Sequence, residues 1–229
     1  MTNKKATQFR TDVEKMIKEL SGKDYITNYY SNIGIDSLII LSSVFRADQS
    51  YLGNYLVDVL NKKKEFYLNK DVFDLGCGCG LLGIICALNG AKIVYLSDIN
   101  PRAIKNSKLN SILLDINNVF FYFGDMFSPI PTNVKFDVII FNPPTISGKP
   151  SNFPESAFIR TDDTMISFYK LFPEYLKENG IVIMPSSSRF DDKMNSLNMA
   201  KYYHYSYKII AEKKERDGNY KYIIKIKKP

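Results

Sequence analysis

Four apolar runs in this chain each end in a polar signal. The strand run Asp71–Leu75 overlaps Asp74-Leu75-Gly76-Cys77-Gly78-Cys79-Gly80, and Ala91–Ser97 leads into Asp98. Val119–Phe123 leads into Gly124-Asp125, and Phe136–Phe141 leads into Asn142-Pro143-Pro144. The segments between them have helical character: Leu81–Asn89 closed by Gly90, and Pro101–Leu114 with proline just inside its start. Short apolar runs alternating with helices predict the strands of a parallel sheet. All four signals then lie at strand carboxyl ends, along one edge of that sheet, where α/β proteins bind ligands.

The flanking chain extends this pattern. Asp162–Lys177 reads as a helix with Met165, Phe168, Tyr169, Phe172 and Leu176 inward and a kink at Pro173. Gly180–Met184 reads as a strand. Tyr203–Ile210 and Tyr220–Ile226 read as two strands joined by the turn Asp217-Gly218-Asn219, a C-terminal antiparallel hairpin. Upstream, Val13, Met16, Ile17 and Leu20 share one helical face over 11–21, and Gln49–Lys63 is a second helix. Ser37–Phe45 is an apolar run that suits a buried helix or a strand. The expected fold class is α/β, a seven-stranded, mostly parallel, Rossmann-like sheet. The expected division is residues 1–65, a mainly helical extension that covers substrate, and residues 66–229, the ligand-binding domain.

Bulk properties narrow the field. No run approaches the ~20 apolar residues of a membrane span, and no apolar signal-peptide segment follows Met1. Cys77, Cys79 and Cys86 make a poor disulfide framework, so a reducing cytoplasm is expected. With His204 the sole histidine and Cys77 and Cys79 inside the glycine turn, no metal is expected. The net charge of +7 gathers in residues 201–229, with nine Lys/Arg against three Asp/Glu. A solvated lysine face explains that excess better than nucleic acid does. Tyr203, Tyr205 and Tyr207 share one face at strand spacing, which packing against a helix explains.

The glycine loop alone is ambiguous. Gly78-Cys79-Gly80-Leu81-Leu82-Gly83 also satisfies a dinucleotide pattern, with Asp98 about where a ribose-binding acid falls. Against a nicotinamide cofactor stands Asp74, a carboxylate before the first glycine that would repel a pyrophosphate. Asp125 adds a second acid suited to an adenine amino group. With Asn142-Pro143-Pro144, the set over residues 44–185 resembles class I S-adenosylmethionine-dependent methyltransferases. The resemblance implies that Asp74, Gly76, Cys77, Gly78 and Gly80 surround the methionine part of the cofactor. It implies Asp98 on the ribose hydroxyls, Asp125 and the Met126 N–H on adenine, and Ile99 and Phe127 on the adenine faces.

Asn-Pro-Pro suits a planar NH2 acceptor. Its lone pair is delocalised, and it presents two N–H donors. The Asn142 side-chain carbonyl and the Pro143 backbone carbonyl can accept both and favour the charge that develops on nitrogen. Pro144 stiffens the turn. The motif resembles the (Asn/Asp)-Pro-Pro-aromatic signature of amino-group methyltransferases, among them HemK-type glutamine methyltransferases and the small-domain ribosomal-RNA guanine methyltransferases. Val44-Phe45-Arg46 and the helix from Gln49 resemble the segment upstream of the core in those groups. Thr145 departs from the signature, because the family places a stacking ring there. Phe45, Tyr51, Phe153 and Phe158 are the candidate substitutes, and Arg46, Arg160 and Lys149 could face substrate. The implied activity is methyl transfer to an amide or amino nitrogen of a protein or RNA. A small-molecule N- or O-methyltransferase and a noncatalytic protein of the same fold are the alternatives.

Overall fold

The computed structural model describes residues 24–27, 30–189 and 193–228; the helix expected over 11–21 lies outside them. Strands β1 (Tyr25–Thr27) and β2 (Leu38–Ile40) form a short antiparallel pair, so the ambiguous run at 37–45 contributes a strand. Helix α1 (Gly53–Lys62) follows. The central sheet then builds in sequence order: β3 (Asp71–Leu75), α2 (Leu81–Leu88), β4 (Ile93–Asp98), α3 (Pro101–Leu113), β5 (Val119–Phe123) and β6 (Phe136–Phe141). A small insertion carries β7 (Ile146–Ser147), α4 (Phe153–Ser156) and β8 (Ile159–Arg160). The chain closes with α5 (Asp162–Tyr175), β9 (Leu176–Ser187), α6 (Ser196–Tyr202), β10 (Tyr207–Lys214) and β11 (Tyr220–Lys227).

Seven strands pair in the order β10-β11-β9-β6-β3-β4-β5. Strands β3, β4, β5, β6 and β9 pair in parallel, and β11 runs antiparallel to both of its neighbours. From β3 the chain steps to β4 and β5 on one side, and then to β6 on the other. That reversal opens a crevice at the carboxyl ends of β3 and β6.

The central strands β3, β6 and β9 are largely buried on both faces, which is why they read as apolar runs. On one face Val72, Val94 and Ile140 pack with Leu56 and Leu60 of α1 and Ile84 of α2. The other face is aromatic. Phe73 stacks on Phe136 at 4.7 Å, and Phe141 meets Phe168 of α5 at 4.7 Å.

Helix α3 buries a polar face instead: Asn106, Ser107, Asn110 and Ser111 are all buried. The asparagines act as a template for the chain crossing them. Asn110 Oδ1 accepts from Ile39 N, and its Nδ2 donates to the carbonyls of Ile39 and Cys79, each at 2.8 Å. Asn106 accepts from Leu41 N and donates to the Ile39 carbonyl, both at 2.8 Å. The N-terminal segment is thus laid along α3 by side-chain amides that replace a neighbouring strand.

Several boundaries differ from expectation, among them α1, which starts at Gly53 rather than Gln49. Helix α5 ends at Tyr175, because β9 starts at Leu176 rather than Gly180. Pro173 lies inside α5 and cannot donate to the Tyr169 carbonyl; the Tyr205 hydroxyl donates to that carbonyl instead, at 2.9 Å. The first hairpin strand starts at Tyr207, and the residues before it include the unexpected helix α6. Tyr203 and Tyr205 pack on the Tyr169 ring of α5, at 5.6 and 6.1 Å, but from the turn before β10 rather than from a strand face, and Tyr207 is exposed.

Replacing Asn110 by Ala strands buried backbone groups of Ile39 and Cys79. Chemical denaturation of Asn110→Ala is expected to show a loss of about 2–4 kcal/mol, the cost of unsatisfied buried donors and acceptors.

Candidate active site

A cleft of about 440 Å³ lies at the carboxyl ends of β3, β4, β5 and β6, within the size range of small-ligand sites. Gly76, Cys77 and Gly78 form one wall, Asp98 and Ile99 the next, and Asp125 and Met126 a third. Asn142, Pro143, Pro144 and Thr145 line the same cleft, as do Phe45, Tyr51, Phe153, Phe158 and Arg160. The motifs are brought together, although some 65 residues separate the glycine loop from the Asn-Pro-Pro turn.

Backbone and carboxylate shape this site together. Gly76 and Gly78 have φ of 68° and 55°, and a Cβ on Gly78 would stand in open space. The loop presents bare backbone to the cleft. Its position is set by Asp98: one carboxylate oxygen accepts from Gly78 N at 2.9 Å, and the other from Asn100 N at 2.8 Å. Burial raises the Asp98 pKa, opposed by the N–H groups of Asn100, Gly78 and Ile99. Three N–H groups leave the carboxylate acceptor capacity for a ligand hydroxyl. Ile99 is 47% exposed beside it, an apolar side chain offered to the cleft. Asp125 is exposed at the end of β5.

The structure corrects five expected roles. Asp74 points away from the cleft, because strand alternation puts it on the α2 face with Val72; its Oδ2 accepts from Gly83 N at 2.8 Å. Burial pushes its pKa up to about 7, against the pull of the Gly83 N–H and with the help of Asp98. Gly80 also lies outside the cleft. It starts α2 at φ 88°, where a Cβ would come within 2.9 Å of Ser107 Cβ, so its role is close packing of α2 on α3. Phe127 is buried in the aromatic core, stacked 4.5 Å from Tyr175, and leaves no ring for adenine. The left-handed turn at Met126, φ 48°, precedes this inward swing. Arg46 does not line the cleft; its guanidinium is forked on Asp48, at 3.0 and 2.7 Å. Arg160 lines the cleft, yet its guanidinium is directed to backbone, with Nε donating to the Pro144 carbonyl at 2.9 Å and Nη2 to the Met194 carbonyl at 3.0 Å.

The candidate rings also sort themselves. Phe45 and Phe158 meet edge to face at 5.1 Å, with Phe158 buried. The Tyr51 ring has the Lys221 ammonium at 3.8 Å and the Arg189 guanidinium at 4.5 Å, and its hydroxyl donates to Glu215. Phe153 is 44% exposed and lines the cleft. Lys149 does not line it.

Several site residues escaped the sequence reading. Asn100 caps α3 by accepting from Arg102 N at 3.0 Å, and its Nδ2 donates to the Ser43 carbonyl at 2.7 Å. It thereby pulls the 43–53 segment against the cleft. A Cβ on Gly53 would lie 2.4 Å from Ser50 Oγ and 3.1 Å from Asn142 Nδ2, so the start of α1 packs directly on the catalytic candidate. The polar residue just before Pro101 was a readable cap signal; nothing in the sequence marked Gly53. Among the described residues, no three His, Cys, Asp or Glu side chains are grouped to hold a metal ion. The three cysteines are free and buried, with thiol pKa values raised by burial, that of Cys79 to about 12.

This sheet order, with a glycine loop, a strand-end acid and an Asn-Pro-Pro turn around one cleft, defines the Rossmann-like methyltransferase class. The chain belongs to the methyltransferase small domain family, whose model matches residues 37–193. It is 38% identical over 132 residues to a putative protein N5-glutamine methyltransferase of Methanocaldococcus jannaschii, covering 55% of this chain and 66% of that protein. It is 34% identical over 128 residues to the release factor glutamine methyltransferase of Aquifex aeolicus, covering 49% of this chain and 44% of that one. The chain thus spans less than two thirds of the length of the curated relatives it matches. Among solved structures, a T. thermophilus 16S rRNA N2 G1207 methyltransferase in complex with AdoMet and guanosine superposes with a TM-score of 0.64. It is 16% identical, over 84% of this chain and 47% of that one. The family sets aside the nicotinamide reading, and its cofactor is S-adenosylmethionine. The open backbone at Gly78 and the acceptor capacity left on Asp98 fit that group.

Two outcomes follow from these carboxylates. Asp98→Ala loses charge-assisted acceptors and is expected to weaken S-adenosylmethionine binding by about 10- to 100-fold in calorimetry. Folded Asp74 keeps its proton to about pH 7, whereas an unfolded carboxyl releases it near 3.8. The folded state binds more protons in that window, so stability falls as pH rises through it, by up to ~1.4 kcal/mol per pH unit. Asp74→Asn is expected to flatten that slope when stability is measured by denaturation from pH 4 to 7.

Proposed function

We propose that this chain is an S-adenosylmethionine-dependent N-methyltransferase whose acceptor is the side-chain amide of a protein glutamine. The observation that carries the reading is that Asn142 and Pro143 line the same cleft as Gly78 and Asp98. The two relatives named as glutamine methyltransferases support the choice of acceptor. Thr145 supports it too, since a primary amide needs less stacking surface than a base.

When bound, S-adenosylmethionine supplies an electrophilic methyl carbon on a sulfonium. The chain's part is to hold the nitrogen. Gly76, Cys77 and Gly78 receive the methionine end of the cofactor, Asp98 the ribose hydroxyls, and Asp125 and the Met126 N–H the adenine edge, with Ile99 against its face. Asn142 packs its Nδ2 toward Gly53, which leaves Oδ1 as the acceptor. Oδ1 and the Pro143 carbonyl take the two N–H bonds of the substrate amide. That pairing orients the nitrogen and favours the positive charge that grows on it. No base is required before transfer, because the proton becomes acidic only once the nitrogen is alkylated. The 43–53 segment and the 146–160 insertion form the acceptor walls, with Phe45, Phe153 and Phe158 excluding water. The free buried cysteines agree with a reducing cytoplasm, and no described helix is long and apolar enough to cross a membrane.

The test is incubation of the chain with methyl-labelled S-adenosylmethionine and extract from cells lacking it. Label is expected in the protein fraction, on glutamine after peptide mapping; label confined to RNA or metabolites would overturn the acceptor. Asn142→Ala is expected to lower turnover by about 10²–10³-fold, as loss of one preorganised partner does. Its cofactor affinity, read by calorimetry, is expected to stay near wild type.

A further inference from the structure

The Asn-Pro-Pro turn is held from outside itself. Pro143 and Pro144 carry no N–H and cannot brace the turn through those positions. Asn142 and Pro143 each precede a proline, which keeps both in the extended region. The Pro144 ring also locks its own φ, so a hold on the Pro144 carbonyl limits how far the Pro143–Pro144 peptide plane can swing.

Arg160 holds the Pro144 carbonyl at 2.9 Å with Nε and the Met194 carbonyl at 3.0 Å with Nη2. Its Nη1 lies 3.8 Å from the Asp162 carboxylate, and its side chain is 3% exposed. The backbone around it is laced. Ile146 pairs with Ile159 and Ser147 with Arg160 across β7 and β8, and Gly148 N donates to the Arg160 carbonyl at 2.9 Å. Arg160 therefore joins three pieces of chain: the catalytic turn, the insertion that follows it, and the segment after β9. A guanidinium suits the task because its donors form a rigid fork that stays charged at any working pH.

We propose that Arg160 is a positioning residue for methyl transfer. It fixes the Pro144 carbonyl and, through the stiff Pro143–Pro144 pair, sets the direction of the Pro143 carbonyl that receives the substrate's second N–H. This rests on the functional reading above. It assigns the insertion a task beyond covering substrate: its return strand aims the acceptor site.

The test compares wild type, Arg160→Lys and Arg160→Ala in the label-transfer assay on the protein fraction, alongside calorimetry with S-adenosylmethionine and thermal melting. Lysine keeps the charge and stem but loses the fork. Arg160→Lys is expected to melt near wild type and to keep cofactor affinity within about twofold, yet to lose about 10- to 100-fold in turnover at saturating acceptor, the scale of a 1 Å misplacement. Millimolar guanidinium is expected to restore part of the Arg160→Ala turnover without raising its melting temperature. Wild-type turnover in Arg160→Lys overturns the proposal. So does a loss in Arg160→Lys that tracks a fall in melting temperature and cofactor affinity, since that marks a structural role alone. If Arg160→Ala does not fold, Arg160→Lys decides by the same criteria. If wild type itself transfers no label, the functional reading fails and takes this role with it; the wild-type control separates that outcome from the others.

Discussion

The carboxylate of Asp98 is the group on which the rest of the site depends. It stands at the end of β4 and receives the backbone N–H groups of Gly78 and Asn100. One group thereby fixes the loop after β3 and the start of α3. Asn100, so fixed, holds the Ser43 carbonyl and draws the N-terminal segment to the cleft. That segment in turn places Gly53 against Asn142. Hydrogen bonds, and at Gly53 close packing, link the proposed ribose-binding acid to the proposed acceptor-binding amide, across elements far apart in sequence.

Such an arrangement has an energetic cost. Asp74 and Asp98 both have carboxyl pKa values raised by burial, and one Asp74 oxygen is buried without a hydrogen-bond partner. Asp98 lines the cleft, where a displaced pKa suits a functional group, whereas Asp74 braces the start of α2 through Gly83 N. The aliphatic and aromatic cores on the two sheet faces offset that cost. The polar seam of α3 belongs to the same economy of placement: Asn110 holds β2 and the Cys79 carbonyl of the glycine loop at once.

Most of the fold was legible because central parallel strands are apolar on both faces and end in functional signals. Strands β3, β5 and β6 fall where the runs at 71–75, 119–123 and 136–141 predicted them. The seam on α3 was not legible, since Asn106 and Asn110 read as surface residues until a strand lies across them. The start of β9 is hidden in the sequence because Leu176 and Lys177 continue the helical pattern of α5. Within the site, strand ends gave away Asp98 and Asn142. Which way Asp74 and Phe127 point depends on alternation and on one left-handed residue, and sequence does not display either. Arg160 was visible as a charge near the site; its direction toward a backbone carbonyl was not.

The central claim is that cofactor and acceptor meet between the glycine loop and the Asn-Pro-Pro carbonyls. A crystal structure of the chain with S-adenosylhomocysteine and a glutamine-containing peptide tests it most directly. The account predicts ribose hydroxyls on Asp98 and the glutamine amide nitrogen between Asn142 Oδ1 and the Pro143 carbonyl, facing the sulfur. A cofactor bound outside the cleft, or an amide whose nitrogen meets neither carbonyl, would contradict it.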